Sequence, residues 1–171
     1  MNNKTLFLST LQGVNLSNIV TSTSDEEHAV LVAIQQLSKI DINEEDSIIK
    51  MCVTVKSECD KGLAEKVLAT KNNAYEILIN IAHKCENPVV LKDVMAALAS
   101  LLDMNPDPYD SKGFEIVVYI LRNQTDAGVI RSVLDMTLSV CVRHEQNRQN
   151  LVHNKILVSH FIRNCENFLL M

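Results

Sequence analysis

Two stretches of the chain repeat each other and decide the fold: residues 74–78 read AYEIL and residues 113–117 read GFEIV. Tyr75 in the first stretch corresponds to Phe114 in the second. The helices that follow also match, with Leu98 corresponding to Leu138, and a third copy begins near Ile156. A repeat length of about 40 residues is typical of α-solenoids, in which each repeat buries its apolar face against its neighbour. The sequence therefore predicts a solenoid; an irregular helical bundle is the alternative.

Glycine and proline mark the ends of the predicted helices. The chain contains four glycines and three prolines, and each falls at or beside a break in the helical apolar pattern. We expect helices to begin after Ser24, Asn43, Asn87 and either Thr125 or Asp126. The resulting division is residues 1–23 as a partly extended N-terminal arm, 24–62 as an N-terminal helical cap, 63–104 and 105–143 as two repeats, and 144–171 as an incomplete repeat.

Composition narrows the class of protein. With 47% hydrophobic and 22% charged residues the chain is globular, and the net charge of −5 without a Lys/Arg run argues against nucleic-acid binding. The five cysteines are odd in number and scattered, which favours reduced thiols inside a cell. No stretch approaches the roughly 20 apolar residues of a membrane span. We therefore expect a cytoplasmic protein, with the nucleus as a second compartment.

No pattern in the sequence indicates catalysis, a metal or a cofactor. Cys141 is followed closely by His144, but it corresponds to Leu101, a core position of the repeat. A buried thiol is a small hydrophobic group rather than an activated nucleophile. The aspartates near residue 107 do not have the spacing of a calcium loop and are typical of turns. We expect the protein not to be an enzyme.

Three segments resemble the armadillo-repeat family: HEQNRQNLV at residues 144–152, LQGVNLSNIV at 11–20 and LATKNNAY at 68–75. The resemblance implies a right-handed α-solenoid of armadillo-type repeats, with N-terminal helices capping about two and a half repeats, and binding of another protein. The family usually has Gly between the first and second helices of a repeat. Asn73 and Lys155 stand there instead, and only Gly113 fits. Because family members are longer, we expect a fragment or a short form.

The resemblance also implies where a partner would bind. In armadillo proteins the third helices line a groove, and peptide-binding members carry an asparagine ladder with tryptophans beside it. The alignment of Leu98 with Leu138 places Ser100 and Val140 at the ladder positions and Ala96 and Met136 at the tryptophan positions, with Arg143 nearby. Since valine cannot form hydrogen bonds, we expect the groove to recognise side chains or a folded surface rather than an extended basic peptide.

A second surface is expected at the C-terminal end. Leu157, Phe161 and Phe168 have no following helix to cover them within the 171 residues. An open apolar patch marks an interface or a site of association. The main hypothesis is a protein-interaction scaffold whose partner is unknown. The alternative is a structural segment that associates with another copy or with a remainder of its own chain.

Overall fold

The structure is a computed structural model, and it describes residues 28–142, 144–153, 158–159 and 162–163. Within these residues the chain forms α-helices and no strand, as predicted. The helices are α1 Ala29–Leu37, α2 Glu45–Cys59, α3 Leu63–Lys71, α4 Ala74–Lys84, α5 Pro88–Leu102, α6 Ser111–Asn123, α7 Ala127–Cys141 and α8 Glu145–His153.

Three helices of equal length form one layer of the fold. Helices α2, α5 and α7 each contain 15 residues, and α5 packs against both of the others. A second helix accompanies each of them: α1 packs on α2, α4 on α5 and α6 on α7. Helix α3 opens the first predicted repeat, whereas residues 105–110 form turns where the next repeat would have its first helix. This stacking of helix pairs is the armadillo-type architecture that the sequence predicts.

Side-chain caps explain where several helices begin. The Asn87 side chain accepts a hydrogen bond from the Val89 N–H at 2.9 Å, and the Asp126 carboxylate accepts one from the Val129 N–H at 2.9 Å. Both predicted caps are confirmed. The predicted Asn43 cap is wrong, because the N–H of Asn43 donates to the Asp41 carboxylate instead. The predicted start at Ser24 lies outside the described residues.

Asn73 lies in the turn before α4, whereas Gly113 lies within the first turn of α6, and the two residues are needed for different physical reasons. Asn73 adopts a left-handed backbone with φ of 63°, which asparagine tolerates better than most residues. Gly113 has no positive φ; it is required because a Cβ there would lie 2.3 Å from Cε2 of Tyr109 and 2.7 Å from Oη of Tyr75. The glycine at position 113 therefore makes room for two aromatic side chains.

The core shows that α5 and α7 correspond in a register one residue away from the predicted one. Val94 and Val133 are both fully buried, and so are Leu101 and Val140. We call the register that pairs Val94 with Val133 the core register. Leu138, which the predicted alignment places in the core, is 63% exposed, whereas its neighbour Thr137 is 4% exposed.

Thr137 can be buried because its hydroxyl finds a partner within its own helix. Its Oγ1 donates to the Val133 carbonyl at 2.8 Å, which removes the cost of an unpaired polar group. Judged by hydrophobicity, Leu138 is the better core residue of the two. The register predicted for α7 is therefore wrong by one residue.

Helix α8 begins the third unit and is tied to the end of α7. Asn147 is buried, and its Nδ2 donates to the Val140 carbonyl at 3.0 Å. A guanidinium nitrogen of Arg148 donates to the Cys141 carbonyl at 3.0 Å. The last carbonyls of a helix lack partners within the helix, and these two side chains supply them. The polar segment that resembles armadillo proteins thus holds one unit on the next.

Candidate functional site: the three-helix face

Helices α2, α5 and α7 together present one face, which we call the three-helix face. Small and charged side chains on it surround a depression of about 240 Å³. Its lining residues are Lys56 and Asp60 at the end of α2, Ala96, Ala99, Ser100 and Asp103 on and after α5, and Ser132, Asp135 and Ser139 on α7. In the core register, Ala96 corresponds to Asp135 and Ser100 to Ser139.

The structure separates the predicted groove residues into two groups. Ala96 and Ser100 lie on the three-helix face. Met136 and Val140 are fully buried in the core, so their predicted place in the groove is wrong. Asp135 and Ser139 take those two places, because the register of α7 differs by one residue from the prediction.

The remaining predicted site residues are Arg143, Leu157, Phe161 and Phe168, and the side chains of all four lie outside the described residues. The sequence reasoning missed Asp60, Ser132, Asp135 and Ser139. One signal in the sequence points to the correct register. The capping residues Asn87 and Asp126 align with each other in the core register and not in the predicted one.

Asp60 is the best-anchored carboxylate of the face. Its Oδ1 accepts a hydrogen bond from the Ser100 hydroxyl at 2.6 Å, and its Oδ2 lies 2.7 Å from Nζ of Lys56. Partial burial acts to raise the pKa of Asp60, but the hydrogen bonds from Lys56 and Ser100 outweigh it and hold that pKa below its ordinary value. Asp60 therefore remains ionised and links α2 to α5.

Asp103 is paired with a lysine that is almost wholly buried. The Nζ of Lys66 lies 3.2 Å from the Asp103 carboxylate and donates to the Asp103 carbonyl at 2.8 Å. The Lys66 side chain is 8% exposed and that of Asp103 is 57% exposed. The cation is thus held behind the face while the carboxylate remains accessible from it.

Two of the three serine hydroxyls that line the face already donate hydrogen bonds within the protein. Ser100 donates to Asp60, and Ser139 donates to the backbone carbonyl of Asp135 at 3.0 Å. A hydroxyl that donates internally still has lone pairs to offer. Together with the Asp103 and Asp135 carboxylates, these serines make the face rich in hydrogen-bond acceptors.

The described cysteines do not line this surface, and their burial makes them poor nucleophiles. Cys52, Cys59, Cys85 and Cys141 are free and buried. Burial raises the pKa of the Cys52 thiol to about 12 and that of Cys59 to about 11, so both are protonated near neutral pH. Cys141 is a core residue, as predicted, although in the core register it corresponds to the buried Leu102 rather than to Leu101.

Two negative findings apply to the described part of the chain. No group of three or more His, Cys, Asp or Glu side chains there is placed to hold a metal ion. None of its helices combines the length and the apolar character that a bilayer crossing requires.

The stacked helix pairs, the three equal helices and the face that they form define a helical repeat protein of the armadillo type. The chain is 29% identical over 159 residues to the armadillo repeat-containing protein 6 homolog of Drosophila melanogaster, in an alignment that covers 85% of this chain and 34% of that protein. It is 28% identical over the same length to armadillo repeat-containing protein 6 of Homo sapiens and of Pongo abelii, covering 32% of each.

These similarities confirm the resemblance to the armadillo-repeat family, and in particular to armadillo repeat-containing protein 6. The chain spans about a third of the length of these relatives. No protein-family model matches the chain, and no solved structure matches it.

Proposed function

We propose that the protein is a non-enzymatic interaction scaffold inside the cell, and that its partner protein binds on the three-helix face. The observation that carries the proposal is the side-by-side packing of α2, α5 and α7, which aligns Ala96, Asp135 and Ser139 on one accessible surface that Ser100, only 9% exposed, also lines. Short side chains at these positions allow a partner to approach the helices closely. Reduced, buried thiols support a cytoplasmic or nuclear location.

The chemistry of the face limits what it can bind. Its serines and carboxylates offer lone pairs and outnumber Lys56, the one cation among the lining residues, so we expect a partner to supply mainly N–H or O–H groups, as lysine, arginine and free backbone amides do. The sequence argument against an extended peptide was that Val140 cannot form hydrogen bonds. That argument does not apply, because Val140 is buried in the core and Ser139 lies on the face in its stead. Serine nevertheless reaches less far than asparagine, so we expect recognition mainly through the partner's side chains.

The test combines crosslinking with substitution on the face. A photo-reactive amino acid at position 96 or 139 is expected to crosslink a specific cellular protein to the full chain. The double variant Ala96→Arg, Ser139→Arg places two cations against an acceptor-rich surface, and we expect it to retain at least about 10-fold less of that protein. Asn123→Arg, on the exposed end of α6, is the matched control and is expected to retain the native amount.

Each variant is first checked by circular dichroism for native helix content and melting temperature. If the Arg pair binds the crosslinked protein as well as the native chain does, the three-helix face is not the binding surface. The photo-reactive amino acid is also placed at position 123 as a control. If it crosslinks the same protein equally from there, the contact is not specific to the three-helix face.

A further inference from the structure

A cleft of about 430 Å³ lies between α4 and the connection that leads from α1 to α2. We call it the α1–α4 cleft. Its size falls within the range of about 300–1,000 Å³ that is usual for binding sites of small molecules and side chains. None of its lining residues lines the three-helix face. Its walls are aliphatic and its other lining residues are polar: the walls are Leu37, Ile40, Ile42, Ile77 and Ile81, and the polar residues are Ser38, Asp41, Asn80 and Lys84.

The repeat in the sequence shows what stands in the equivalent place one unit later. The spacing that pairs Tyr75 with Phe114 also pairs Asn80 with Tyr119. Helix α4 contacts α6 as α1 contacts α4. Between α4 and α6 the ring of Tyr119 stacks on His83, with ring centroids 5.6 Å apart and planes inclined by 20°. An aromatic side chain therefore joins the two later helices at the level where Asn80 borders the open cleft.

Two further differences between the units keep the α1–α4 cleft open. The Nε2 of Gln124 donates to the Glu86 carbonyl at 3.0 Å, whereas Cys85, which the same spacing pairs with Gln124, is buried. The connection from α1 to α2 comprises residues 38–44, whereas that from α4 to α5 comprises only residues 85–87. The groups that close the later contact belong to the two flanking units themselves. The open cleft therefore reflects the side chains and the loop length of this chain rather than the absence of a neighbouring unit.

We propose that the α1–α4 cleft binds an aromatic side chain of a partner protein, which takes the place that Tyr119 has one unit later. A flat ring suits a gap with aliphatic walls, because it buries a large apolar area and has few rotatable bonds to immobilise. Lys84 is exposed and has no ion-pair partner among the described residues, so its cation is free to lie over the face of the ring. This site is separate from the three-helix face and does not depend on what binds there.

The charges at the cleft favour a neutral occupant. Asp41 and Lys84 give the lining one acidic and one basic side chain. Oδ1 of Asp41 accepts hydrogen bonds from the backbone N–H and the side-chain amide of Asn43, at 2.9 and 2.8 Å, so this carboxylate is held in place by its own turn. An anionic ligand would meet Asp41, and a cationic one would meet Lys84. A neutral aromatic ring is repelled by neither.

The test is the binding of p-cresol, which is the side chain of tyrosine as a free molecule, to the full 171-residue chain in an NMR titration of the backbone amides. For so small a probe we expect a Kd on the order of a few mM. The largest shifts should fall on residues 37–42 and 77–84, which contain the lining of the cleft. Methylcyclohexanol has nearly the same size but no aromatic face for Lys84 to contact, and it should bind at least about 3-fold more weakly.

Substitution of Asn80 separates filling of the cleft from loss of the amide. Asn80→Tyr supplies from the chain itself the ring that Tyr119 supplies one unit later. This variant should bind p-cresol at least about 10-fold more weakly and should melt at a higher temperature, because a cavity is filled. Asn80→Ala is the matched control, since it leaves the cleft open, and it should bind p-cresol within about 2-fold of the native chain. Circular dichroism checks that both variants keep the native helix content.

Three results would overturn the proposal. An absence of shifts at the cleft residues at about 20 mM p-cresol excludes a site in the expected range. If Asn80→Tyr binds the probe as well as the native chain does, the probe lies elsewhere. Phe7 is the aromatic residue that precedes α1 in the sequence. Binding that appears only after Phe7→Ser would make the chain itself, and not a partner, the occupant of the cleft.

Discussion

The contact between Tyr75 and Asp110 ties α4 to the start of α6, and its removal should cost a predictable amount of stability. Tyr75 is buried, and its hydroxyl donates to Oδ1 of Asp110 at 2.8 Å. The same hydroxyl accepts the Asp110 N–H at 3.3 Å. Oδ1 also accepts the N–H groups of Lys112 and Gly113, at 3.0 and 3.3 Å, and so caps α6.

The expected loss in the free energy of unfolding follows from counting the hydrogen-bonding groups that each substitution removes. Tyr75→Phe removes the hydrogen bond to the Asp110 carboxylate and the longer one from the Asp110 N–H, for which we expect a loss of about 2 kcal/mol in the free energy of unfolding. Asp110→Ala removes the cap, about 1 kcal/mol, and leaves the buried Tyr75 hydroxyl unpaired, about 2 kcal/mol more. The double variant loses the shared bond only once and the cap once, about 3 kcal/mol in all, so the coupling energy should be about 2 kcal/mol.

Urea unfolding followed by circular dichroism, for the native chain and the three variants, measures this coupling. Tyr109→Phe is the matched control, because the Tyr109 hydroxyl is buried and has no hydrogen-bond partner within the described part of the protein. Its removal should not lower the free energy of unfolding and, by the same reasoning, should raise it by about 1–2 kcal/mol, because an unpaired buried hydroxyl is lost. A coupling energy below about 0.5 kcal/mol, or a control as damaging as Tyr75→Phe, would refute the reasoning.

Two further predictions concern the core. Gly113→Ala should destabilise the protein by about 1–3 kcal/mol in the same urea assay, because the added Cβ meets the Tyr109 ring; an unchanged midpoint would contradict the predicted clash. Alkaline pH should lower stability between about pH 9 and 11, since folding raises the pKa of Cys52 and Cys59 and the unfolded chain then binds fewer protons than the folded one. The Cys52→Ala, Cys59→Ala variant should lose stability less steeply over that range than the native chain, and equal slopes would assign the effect to other groups.

Much of the fold follows from local signals in the sequence. Asn87 with Pro88, and Asp126, start helices because their side chains satisfy backbone N–H groups a few residues away. Asn73 takes the left-handed turn because few other residues do so at modest cost. Such effects depend on neighbours in the chain, so periodicity and capping residues predict the helices and the repeat.

The register of α7 and the make-up of the three-helix face required the tertiary structure. Thr137 and Leu138 are adjacent, and hydrophobicity alone assigns the leucine to the core. Thr137 can be buried because its hydroxyl donates a hydrogen bond to the Val133 carbonyl of the same helix. Leu138 is exposed because no described helix packs over it. Which residues of a helix become a binding surface depends on where the neighbouring helices lie. Ser139 and Asp135 therefore lie on the face, whereas Val140 and Met136 are in the core.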